Sequence, residues 1–492
     1  MSDAIPIDFD RRCPDSYETF LKIRNVPVYW FRGGRAFIPS QYAESIGVTV
    51  EKQHAAYTPP SFLFDYQTAI SELAIRKQKY AVFADCGLGK TLILLEFAQH
   101  AASATGQRIL IVSPLMVVNQ TIKEANRFYA GIDIGRIRAN ELGDWLSGGD
   151  GPLIGVTNYE AIVDGLPSGG IGGLLLDESS MLKSHYGKWG TRLIEMGRGL
   201  AWKMCCTGTP APNDRIEYAN HAVFLDRAKT VNEFLATYFI NRGQTQGRWE
   251  LKPHALRPFY RSLSDWSIFL NSPSTYGWED NNETVPPIHI HIDDVPLTTE
   301  QRDAARRLTG DLVTVNLGGI TSRSKISQIA KGGGGIPSLK PGFIRDQIAS
   351  WQPESTIVWC HYNDEQDRLA KTIPDSVSVS GATKEAARQD AIDAFIRGDV
   401  KTLITKPKIL GFGLNLQVAT RHVFSGIKDS YEEFYQAVKR SNRIGSTRPL
   451  NVHIPVTELE SPFIENVLRK AARVESDTIE QEKLFKEFGH GV

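Results

Sequence analysis

The segment Ala84-Asp-Cys-Gly-Leu-Gly-Lys-Thr91 constrains the fold of this chain more than any other. It follows a short apolar run at residues 80–83 and opens into a helical pattern at residues 91–99. A buried strand, a glycine-rich loop and a helix in that order are typical of a loop that binds phosphate through its backbone N–H groups. The segment therefore predicts one α/β domain with a nucleotide site at the end of a strand.

Each residue type in this loop has a physical role in holding phosphate. Gly87 and Gly89 allow the backbone N–H groups to turn inward, and the following helix N-terminus favours an anion. Lys90 has the length to reach the β- and γ-phosphates, and the Thr91 hydroxyl can ligate Mg²⁺. Ala84 stands where the pattern usually has its first glycine. Taken alone, the segment leaves a tight strand-to-helix turn as the alternative.

Two sets of short apolar runs alternate with helical patterns along the chain. This alternation predicts two parallel sheets covered by helices on both faces, with a helical insertion and a hinge between them. The glycine run at residues 332–335 is the expected flexible joint. The first set lies at residues 109–112, 153–156, 174–176 and 204–206, and the second at 356–360, 377–379, 402–405, 422–424 and 450–454.

Two further segments of the first set end in polar residues. The run Leu174-Leu-Leu-Asp-Glu-Ser-Ser180 ends a strand in two acids, which predicts that Asp177 holds Mg²⁺ and that Glu178 polarises an attacking water. The run Met204-Cys-Cys-Thr-Gly-Thr-Pro210 ends another strand with hydroxyls that can sense the γ-phosphate. In isolation, the first is also compatible with a helix-capping acid and the second with a plain turn.

Composition limits the protein class only modestly. The 492 residues contain 56 Lys and Arg and 56 Asp and Glu, so nucleic-acid binding would have to come from a local groove. Five cysteines without paired spacing indicate reduced thiols. No apolar run reaches the length of a membrane span, and the N-terminus lacks a signal layout. We expect an intracellular, cytoplasmic protein without a membrane partner, in the host cytoplasm if the source is viral.

In this company, residues 64–456 resemble the Swi/Snf family of superfamily-two DNA-dependent ATPases, in a compact prokaryotic or viral form. The resemblance is carried by motifs in the family's order. These are Tyr66-Gln67, Asp85 to Thr91, Val112-Ser-Pro114, Thr157-Asn-Tyr-Glu160, Asp177-Glu-Ser-Ser180, Thr207-Gly-Thr-Pro210, Leu297-Thr-Thr-Glu-Gln301, Gly411-Phe-Gly-Leu-Asn-Leu416 and Gln436-Ala-Val-Lys-Arg-Ser-Asn-Arg-Ile-Gly445. The last is the family's most specific signature.

The resemblance implies an ATP hydrolase with ATP and Mg²⁺ as cofactors, and it implies a role for individual residues. The implied catalytic residues are Lys90, Asp177, Glu178, Gln436, Arg440 and Arg443. ATP-binding residues are Gln67, which reads adenine, with Gly87, Gly89, Lys90, Thr91 and Gly413, and the Mg²⁺ ligands are Thr91 and Asp177. DNA contacts are Ser113, Thr157, Lys183, Ser380, Thr405 and Lys408, each of which is alternatively an ordinary surface residue.

The spacing of the sixth motif gives an independent reason for its chemistry. Gln436 and Arg440 are four residues apart and Arg440 and Arg443 three apart, so one helical face would carry all three. Guanidinium groups on that face can stabilise charge on a transferring phosphoryl group. Lys439 stands where the family commonly has an acid and Asn442 where it commonly has histidine. These two departures affect the expected coupling rather than the arginines.

The expected architecture is α/β, with two RecA-like parallel-sheet domains in tandem and a largely helical insertion between them. Its parts are a small N-terminal module with a β-hairpin at 1–55, RecA-like domain 1 at 56–225, helical insertion and hinge at 226–340, RecA-like domain 2 at 341–460 and a C-terminal helix at 461–492. The apolar spacing of the tail predicts that this helix packs on the second domain.

The expected activity is ATP-driven translocation on double-stranded DNA, in preference to single-stranded DNA or RNA. A strand-separating helicase of replication or repair, and a DNA clamp or switch without processive movement, are the alternatives; any protein partners would come from those processes. The N-terminal segment has Gly33-Gly34 between two apolar runs, which predicts a β-hairpin. Its basic residues form either an accessory DNA surface or part of a cap on the first domain; they are Lys22, Arg24, Arg32 and Arg35.

Overall fold

The computed structural model describes most of the chain, and it divides into two compact units. The described residues are 4–8, 10, 12–26, 29–39, 43, 46–48, 57–167, 169–182, 188–212, 214–243, 249–280, 285–309, 320–410, 415–427, 431–443 and 445–487. The first unit comprises residues 1–282 and 475–492, and the second comprises residues 283–474.

A small three-stranded antiparallel sheet begins the first unit. Its elements are β1 (Ala4–Ile7), α1 (Pro14–Asn25), β2 (Trp30–Arg32) and β3 (Arg35–Pro39), in the strand order β1-β3-β2. Strands β2 and β3 form the predicted hairpin, in which Trp30 lies opposite Phe37 and Arg32 opposite Arg35. Gly33 and Gly34 at the turn have φ of 58° and 82°, which is the conformation that a two-residue hairpin turn needs.

A seven-stranded, wholly parallel sheet forms the core of the first unit. The elements are α2 (Asp65–Lys77), β4 (Lys79–Ala84), α3 (Lys90–Thr105), β5 (Arg108–Ser113), α4 (Leu115–Phe128), β6 (Ile134–Arg136), α5 (Leu142–Leu146), β7 (Ile154–Asn158), β8 (Ile171–Asp177), α6 (Lys188–Met196), β9 (Trp202–Thr207), α7 (Tyr218–Phe224), α8 (Val231–Tyr238), β10 (Phe239–Asn241), β11 (Trp249–Leu251), α9 (Leu256–Trp266) and β12 (Ser267–Leu270). The sheet order is β12-β4-β9-β8-β5-β7-β6, and β10 pairs with β11 as a separate hairpin. Strands β4, β5 and β8 are almost entirely buried, as expected for a sheet covered on both faces.

A second parallel sheet, with six strands, forms the core of the second unit. The elements are β13 (Ile288–Asp294), α10 (Thr299–Thr309), α11 (Ile320–Ala330), α12 (Lys340–Trp351), β14 (Thr356–Trp359), α13 (Asn363–Thr372), β15 (Ser376–Ser378), α14 (Glu385–Arg397), β16 (Thr402–Thr405), α15 (Pro407–Leu410), β17 (Arg421–Phe424), α16 (Tyr431–Val438), β18 (Leu450–Val456) and α17 (Ser461–Glu487). The sheet order is β13-β18-β17-β14-β16-β15. The prediction of two tandem RecA-like α/β domains is confirmed.

The segment between the two predicted domains contains strands as well as helices. Strand β12 joins the edge of the first sheet beside β4, and β13 joins the edge of the second beside β18. The unit boundary at 282/283 therefore falls inside the predicted insertion. The domain limits given by the sequence remain predictions.

The glycine run at residues 332–335 lies inside the second unit and is held by hydrogen bonds. Arg368 on α13 donates to the carbonyls of Gly332 and Lys331, and Gly334 N donates to Asp364 Oδ2 at 3.3 Å. A guanidinium group can anchor two carbonyls at once because it carries several donors in one plane. The expected flexible joint is thus attached to α13, and a hinge role for it remains a prediction.

The C-terminal helix α17 contributes to both cores. Phe463, near its start, packs with Leu297 and Ala330 in the second unit, as the apolar spacing predicts. Near its end, Leu484 belongs to the core of the first unit, and Gln481 donates to a tyrosine hydroxyl there at 3.3 Å. Packing on the second domain thus describes only the first part of the helix. Among the residues described above, none of the helices is long and apolar enough to cross a membrane.

Candidate functional site

The predicted phosphate loop connects β4 to α3 at the carboxyl edge of the first sheet. Strand β4 ends at Ala84 and α3 begins at Lys90. Gly87 and Gly89 have φ of 90° and 68°, so both occupy backbone conformations that L side chains rarely adopt. The loop therefore needs glycine at these two positions to reach the helix N-terminus.

Gln67 on α2 lies directly against this loop. A Cβ atom at Gly89 would lie 2.0 Å from Gln67 Nε2, which leaves no room for one. The Gln67 side chain is 2% exposed; its Oε1 accepts from Phe64 N at 3.1 Å, and its Nε2 donates to Leu88 O at 3.5 Å. The residue that the family resemblance assigns to adenine is thus held beside the glycine that precedes Lys90.

The Lys90 ammonium group lies within the loop. Its Nζ donates to the carbonyl of Ala84 at 2.8 Å and to that of Asp85 at 3.1 Å. A Cβ at Gly208, in the Thr207-Gly-Thr-Pro210 motif, would lie 3.9 Å from Lys90 Nζ and 3.4 Å from Ala84 O. The loop and that motif are therefore neighbours.

The first acid of the pair, Asp177, is the last residue of β8 and is 5% exposed. Its Oδ2 accepts from Ser113 Oγ at 3.0 Å and its Oδ1 from Glu178 N at 3.0 Å. Burial raises the pKa of Asp177 to about 6, with a further upward contribution from the charge of Glu178. The Ser113 hydrogen bond and the positive charge of Lys90 lower the pKa, which means that the ammonium group and the carboxyl group interact.

The second acid, Glu178, has an unusual backbone. Its φ is 49°, in the left-handed region, and its side chain is enclosed. Glu178 Oε2 accepts from Thr207 Oγ1 at 3.3 Å, and the same hydroxyl accepts from Thr209 N at 3.1 Å. The acid pair and the third motif are therefore joined by a direct hydrogen bond.

These groups converge because their strands are neighbours in the sheet, not in the sequence. Strands β4, β9 and β8 lie side by side, so their carboxyl ends present Lys90, Thr207 and Asp177 at one edge. A buried carboxylate and a threonine hydroxyl are the hard oxygen ligands that Mg²⁺ prefers, and Thr91 begins α3 beside Lys90. The donor set therefore fits a magnesium-bound phosphate.

Residues of the sixth motif come together in the second unit. Gln436 and Arg440 are 1% and 4% exposed, and Arg440 Nη2 donates to Gln436 Oε1 at 2.9 Å. Arg443 Nη1 donates to the side chain of Asn415, in the fifth motif. Helix α16 ends at Val438, so the prediction that one helical face carries all three residues is wrong.

The early helix end has a local cause. Ser441 Oγ donates to Leu416 O at 2.8 Å, and Leu416 N donates to Arg440 O at 2.9 Å. These bonds hold the chain against the fifth motif, and they replace the helical hydrogen bonds that a longer α16 would make. Gly413, the ATP-binding candidate of that motif, lies outside the described residues.

Three of the predicted DNA contacts are hydroxyls that are fully enclosed and bonded within the protein. Thr157 Oγ1 donates to Ile137 O at 2.8 Å and Thr405 Oγ1 to Val379 O at 3.0 Å, while Ser113 donates to the acid pair as described above. All three side chains are 0% exposed. Their side chains support the ends of strands in this structure, and DNA contact by these residues remains a prediction.

The other DNA candidates differ in accessibility. Lys408 on α15 is 72% exposed and lies 3.8 Å from a carboxylate oxygen of Glu433. Ser380 is half-buried, and its hydroxyl lies 3.3 Å from that of Thr383. Lys183 lies outside the described residues. Lys408 is thus the candidate whose charge is best placed to meet solvent.

Two supporting residues were not assigned these roles by the sequence. The Tyr159 hydroxyl donates to Asp177 O at 2.7 Å, and the Tyr66 hydroxyl donates to Leu88 O at 3.3 Å. Both tyrosines are 1% exposed and lie within motifs that the resemblance identifies. Motif membership was the available signal, but a hydroxyl partner on a backbone carbonyl follows only from the fold.

The basic residues of the N-terminal module are partly engaged with its own side chains. Lys22 pairs with Glu18 at 3.0 Å and Arg35 with Asp8 at 2.7 Å. The module also contacts the first unit's larger domain, because Arg261 on α9 donates to the carbonyl of Arg24 at 3.2 Å. This contact favours the cap hypothesis, and an accessory DNA surface remains a prediction.

Comparison with known proteins gives matches to helicase-like proteins. Residues 340–445 match the family described as Helicase conserved C-terminal domain. YwqA of Bacillus subtilis (strain 168), named for a proposed ATP-dependent helicase/translocase activity, is 23% identical over 421 residues, which are 76% of this chain and 43% of that protein. The chain therefore spans less than half the length of this curated relative.

A solved structure also matches. The Sulfolobus solfataricus SWI2/SNF2 ATPase core in complex with dsDNA is 19% identical, and the match covers 90% of this chain and 100% of that one at a TM-score of 0.40. A TM-score of this size is too low to establish a shared arrangement.

Proposed function

We propose that this chain, which belongs to the superfamily-two helicase-like family and carries motifs of the Swi/Snf type, hydrolyses ATP to drive movement along double-stranded DNA. The observation that carries the proposal is the convergence on one sheet edge of a phosphate loop, a buried acid pair and a hydroxyl motif bonded to it. A nucleotide-binding turn alone would not need the acids or the third motif.

The first unit would supply the groups that hold and activate the phosphates. Lys90 would exchange its two loop carbonyls for phosphate oxygens, and Gln67 would orient the adenine. Thr91 and Asp177 would hold Mg²⁺, which when bound neutralises charge on the phosphate oxygens. Glu178, held by Thr207, would orient and polarise the attacking water.

Thr207 would also report the state of the phosphate to the rest of the unit. Its hydroxyl accepts from the backbone of Thr209 while it donates to Glu178. A shift of the Glu178 carboxylate on loss of the γ-phosphate would therefore move the third motif as well. This is the step that we propose couples hydrolysis to motion.

The second unit enters the proposal through the family resemblance. Gln436, Arg440 and Arg443 would complete the catalytic set, with Gly413 at the nucleotide. Arginines acting on a transferring phosphoryl group contribute on the order of 10³ to 10⁵ in rate in enzymes generally. The hydrogen bond between Gln436 and Arg440 supports a shared role, because it fixes the orientation of the guanidinium group.

Double-stranded DNA is the proposed partner, held through its phosphates rather than its bases. Lys408 is the most accessible of the predicted contacts, with Ser113, Thr157, Lys183, Ser380 and Thr405 taken from the resemblance. Phosphate contacts without base readout predict binding that is independent of sequence and weakened by salt. We place this activity in the cytoplasm.

The test is the steady-state ATPase rate without nucleic acid and with duplex DNA, single-stranded DNA or RNA. We expect strong stimulation by duplex DNA that Lys90→Ala and Arg443→Ala abolish. The matched control is Lys123→Ala on α4, where an exposed lysine is removed away from the loop.

The outcomes separate the three candidate activities. Stimulation by single strands or RNA alone would favour a strand-separating helicase, which a forked-duplex unwinding assay would establish. Stimulation by duplex without displacement of a triplex-forming strand would favour a clamp or switch. An ATPase rate that no nucleic acid changes, or that survives in Lys90→Ala, would refute the proposal.

A further inference from the structure

A buried hydrogen bond links the residue after the acid pair to helix α7. Ser179 Oγ lies 3.1 Å from His221 Nε2, and both side chains are 0% exposed. The Ser179 hydroxyl also hydrogen-bonds the thiol of Cys205 on β9. Ser179 is therefore held between a strand of the sheet and a helix packed beside it.

His221 is itself fixed on its other sides. Its Nδ1 lies 3.4 Å from the carbonyl oxygen of Glu217, one helical turn earlier, and the Phe83 ring meets it edge to face at 5.4 Å between centroids. Burial lowers the pKa of His221 to about 4, against upward contributions from its backbone partners at Glu217 and Ser179. At neutral pH the ring is uncharged, so it acts as a polar anchor and not as a charge.

This anchor matters because of the backbone between the two anchored residues. Glu178 has φ of 49°, a conformation that costs an L residue roughly 1–2 kcal/mol and persists only where its neighbours hold it. On one side, Asp177 is held by Ser113 and Tyr159. On the other side, the side-chain anchors of Ser179 are Cys205 and His221.

We infer that His221 is a positioning residue, which holds Ser179 and thereby keeps the Glu178 carboxylate directed at the nucleotide. The inference rests on the proposed ATPase function, in which Glu178 acts on the attacking water. His221 touches neither nucleotide nor water in this mechanism, so its loss should slow the chemical step without weakening ATP binding.

The test compares four variants of the full chain. His221→Leu removes the ring's polar atoms, Ser179→Ala removes its partner, and a double variant removes both. His221→Gln keeps a side-chain amide that can bond Ser179. The matched control for the change of residue type is His254→Leu, at an exposed position before α9.

We expect His221→Leu and Ser179→Ala each to lower kcat about tenfold, the factor that corresponds to one lost buried hydrogen bond. KM for ATP should stay within about twofold, because ground-state binding is not altered. The double variant should be no slower than either single one, since both remove the same bond. His221→Gln should recover most of the rate, and His254→Leu should match the wild type.

Hydrogen exchange of the amides at residues 178–181 supplies a readout that needs no ATPase activity. The amides should exchange faster in His221→Leu and Ser179→Ala than in His221→Gln or the wild type. Wild-type kcat and wild-type exchange in Ser179→Ala would overturn the inference, as would effects that multiply in the double variant. Ser179→Ala keeps the test valid even if His221→Leu does not fold.

The two levels of the proposal fail differently. If the wild-type protein hydrolyses no ATP with any nucleic acid, the proposed function fails, while the exchange measurement still reports whether His221 holds the turn. If the wild type is active and His221→Leu keeps full kcat, the positioning role fails and the ATPase function stands.

Discussion

Gly89→Ala should be unusually costly, because two separate effects meet at this position. The backbone φ of 68° lies in the left-handed region, where a Cβ costs roughly 1–2 kcal/mol. The new Cβ would also lie 2.0 Å from Gln67 Nε2, so the Gln67 amide must move. That movement breaks its 3.1 Å bond with Phe64 N, at a cost of about 1 kcal/mol.

The unfolded chain offsets a part of this cost, since alanine has less conformational freedom there than glycine, by about 0.4–1 kcal/mol. The net loss in the opening free energy of α3 should be about 2 kcal/mol. In a Gln67→Ala background the collision is absent, so Gly89→Ala should then cost only about 1 kcal/mol. The difference isolates the contact between the two side chains.

Native-state hydrogen exchange of the α3 amides measures both quantities on the full chain. The matched control is Gly106→Ala at the other end of the same helix. Its φ is 62°, and among the residues that the structure describes no atom lies within 4 Å of the added Cβ. Gly106→Ala should therefore show the backbone cost alone. An equal cost of Gly89→Ala with and without Gln67 would refute the steric argument.

Three further predictions concern buried charges. The ATPase rate should fall on the acid side with an apparent pKa of about 6, because protonated Asp177 cannot ligate Mg²⁺, and pH-rate profiles check this. Ser113→Ala should move that limb to higher pH, since its hydrogen bond lowers the pKa; an unmoved limb would contradict the assignment. Glu460 accepts from Lys331 at 2.8 Å and also bonds Lys340, and these partners lower its pKa to about 2. The stability it contributes above pH 4.5 is lost as pH falls toward 2, by about 3 kcal/mol. Glu460→Gln should cost about 3–5 kcal/mol in urea unfolding at pH 7 and remove this acid dependence.

The order of elements and the position of the loop could be predicted from the sequence, because they depend on local patterns. The apolar runs at 80–83 and 174–176 became β4 and β8, each extended by one to four residues in total at its ends. A run of buried residues bounded by polar ones predicts a strand wherever the sheet is covered on both faces. Its exact limits depend on neighbours in the sheet.

The prediction for the sixth motif was wrong at the level of local structure, and the reason is tertiary. Spacing of four and three residues is compatible with a helix through Arg443, but the bonds to Leu416 end α16 at Val438. Likewise, a hydroxyl in a motif is compatible with a DNA contact, while the structure gives Ser113 a partner in Asp177. Partners distant in sequence decided both cases.

The sequence by itself determined that this chain makes two parallel α/β sheets and that glycines, a lysine and two acids follow particular strands. Only the tertiary structure decided which of these strands became neighbours. The order β4-β9-β8 brings Lys90, Thr207 and the acid pair to one edge, although more than 110 residues separate the first from the second. Burial at that edge raises the pKa of Asp177, and anchors on either side hold Glu178 in a left-handed turn. Both effects arise from atoms that no local pattern contains, because desolvation and close contact depend on what the fold packs around a residue.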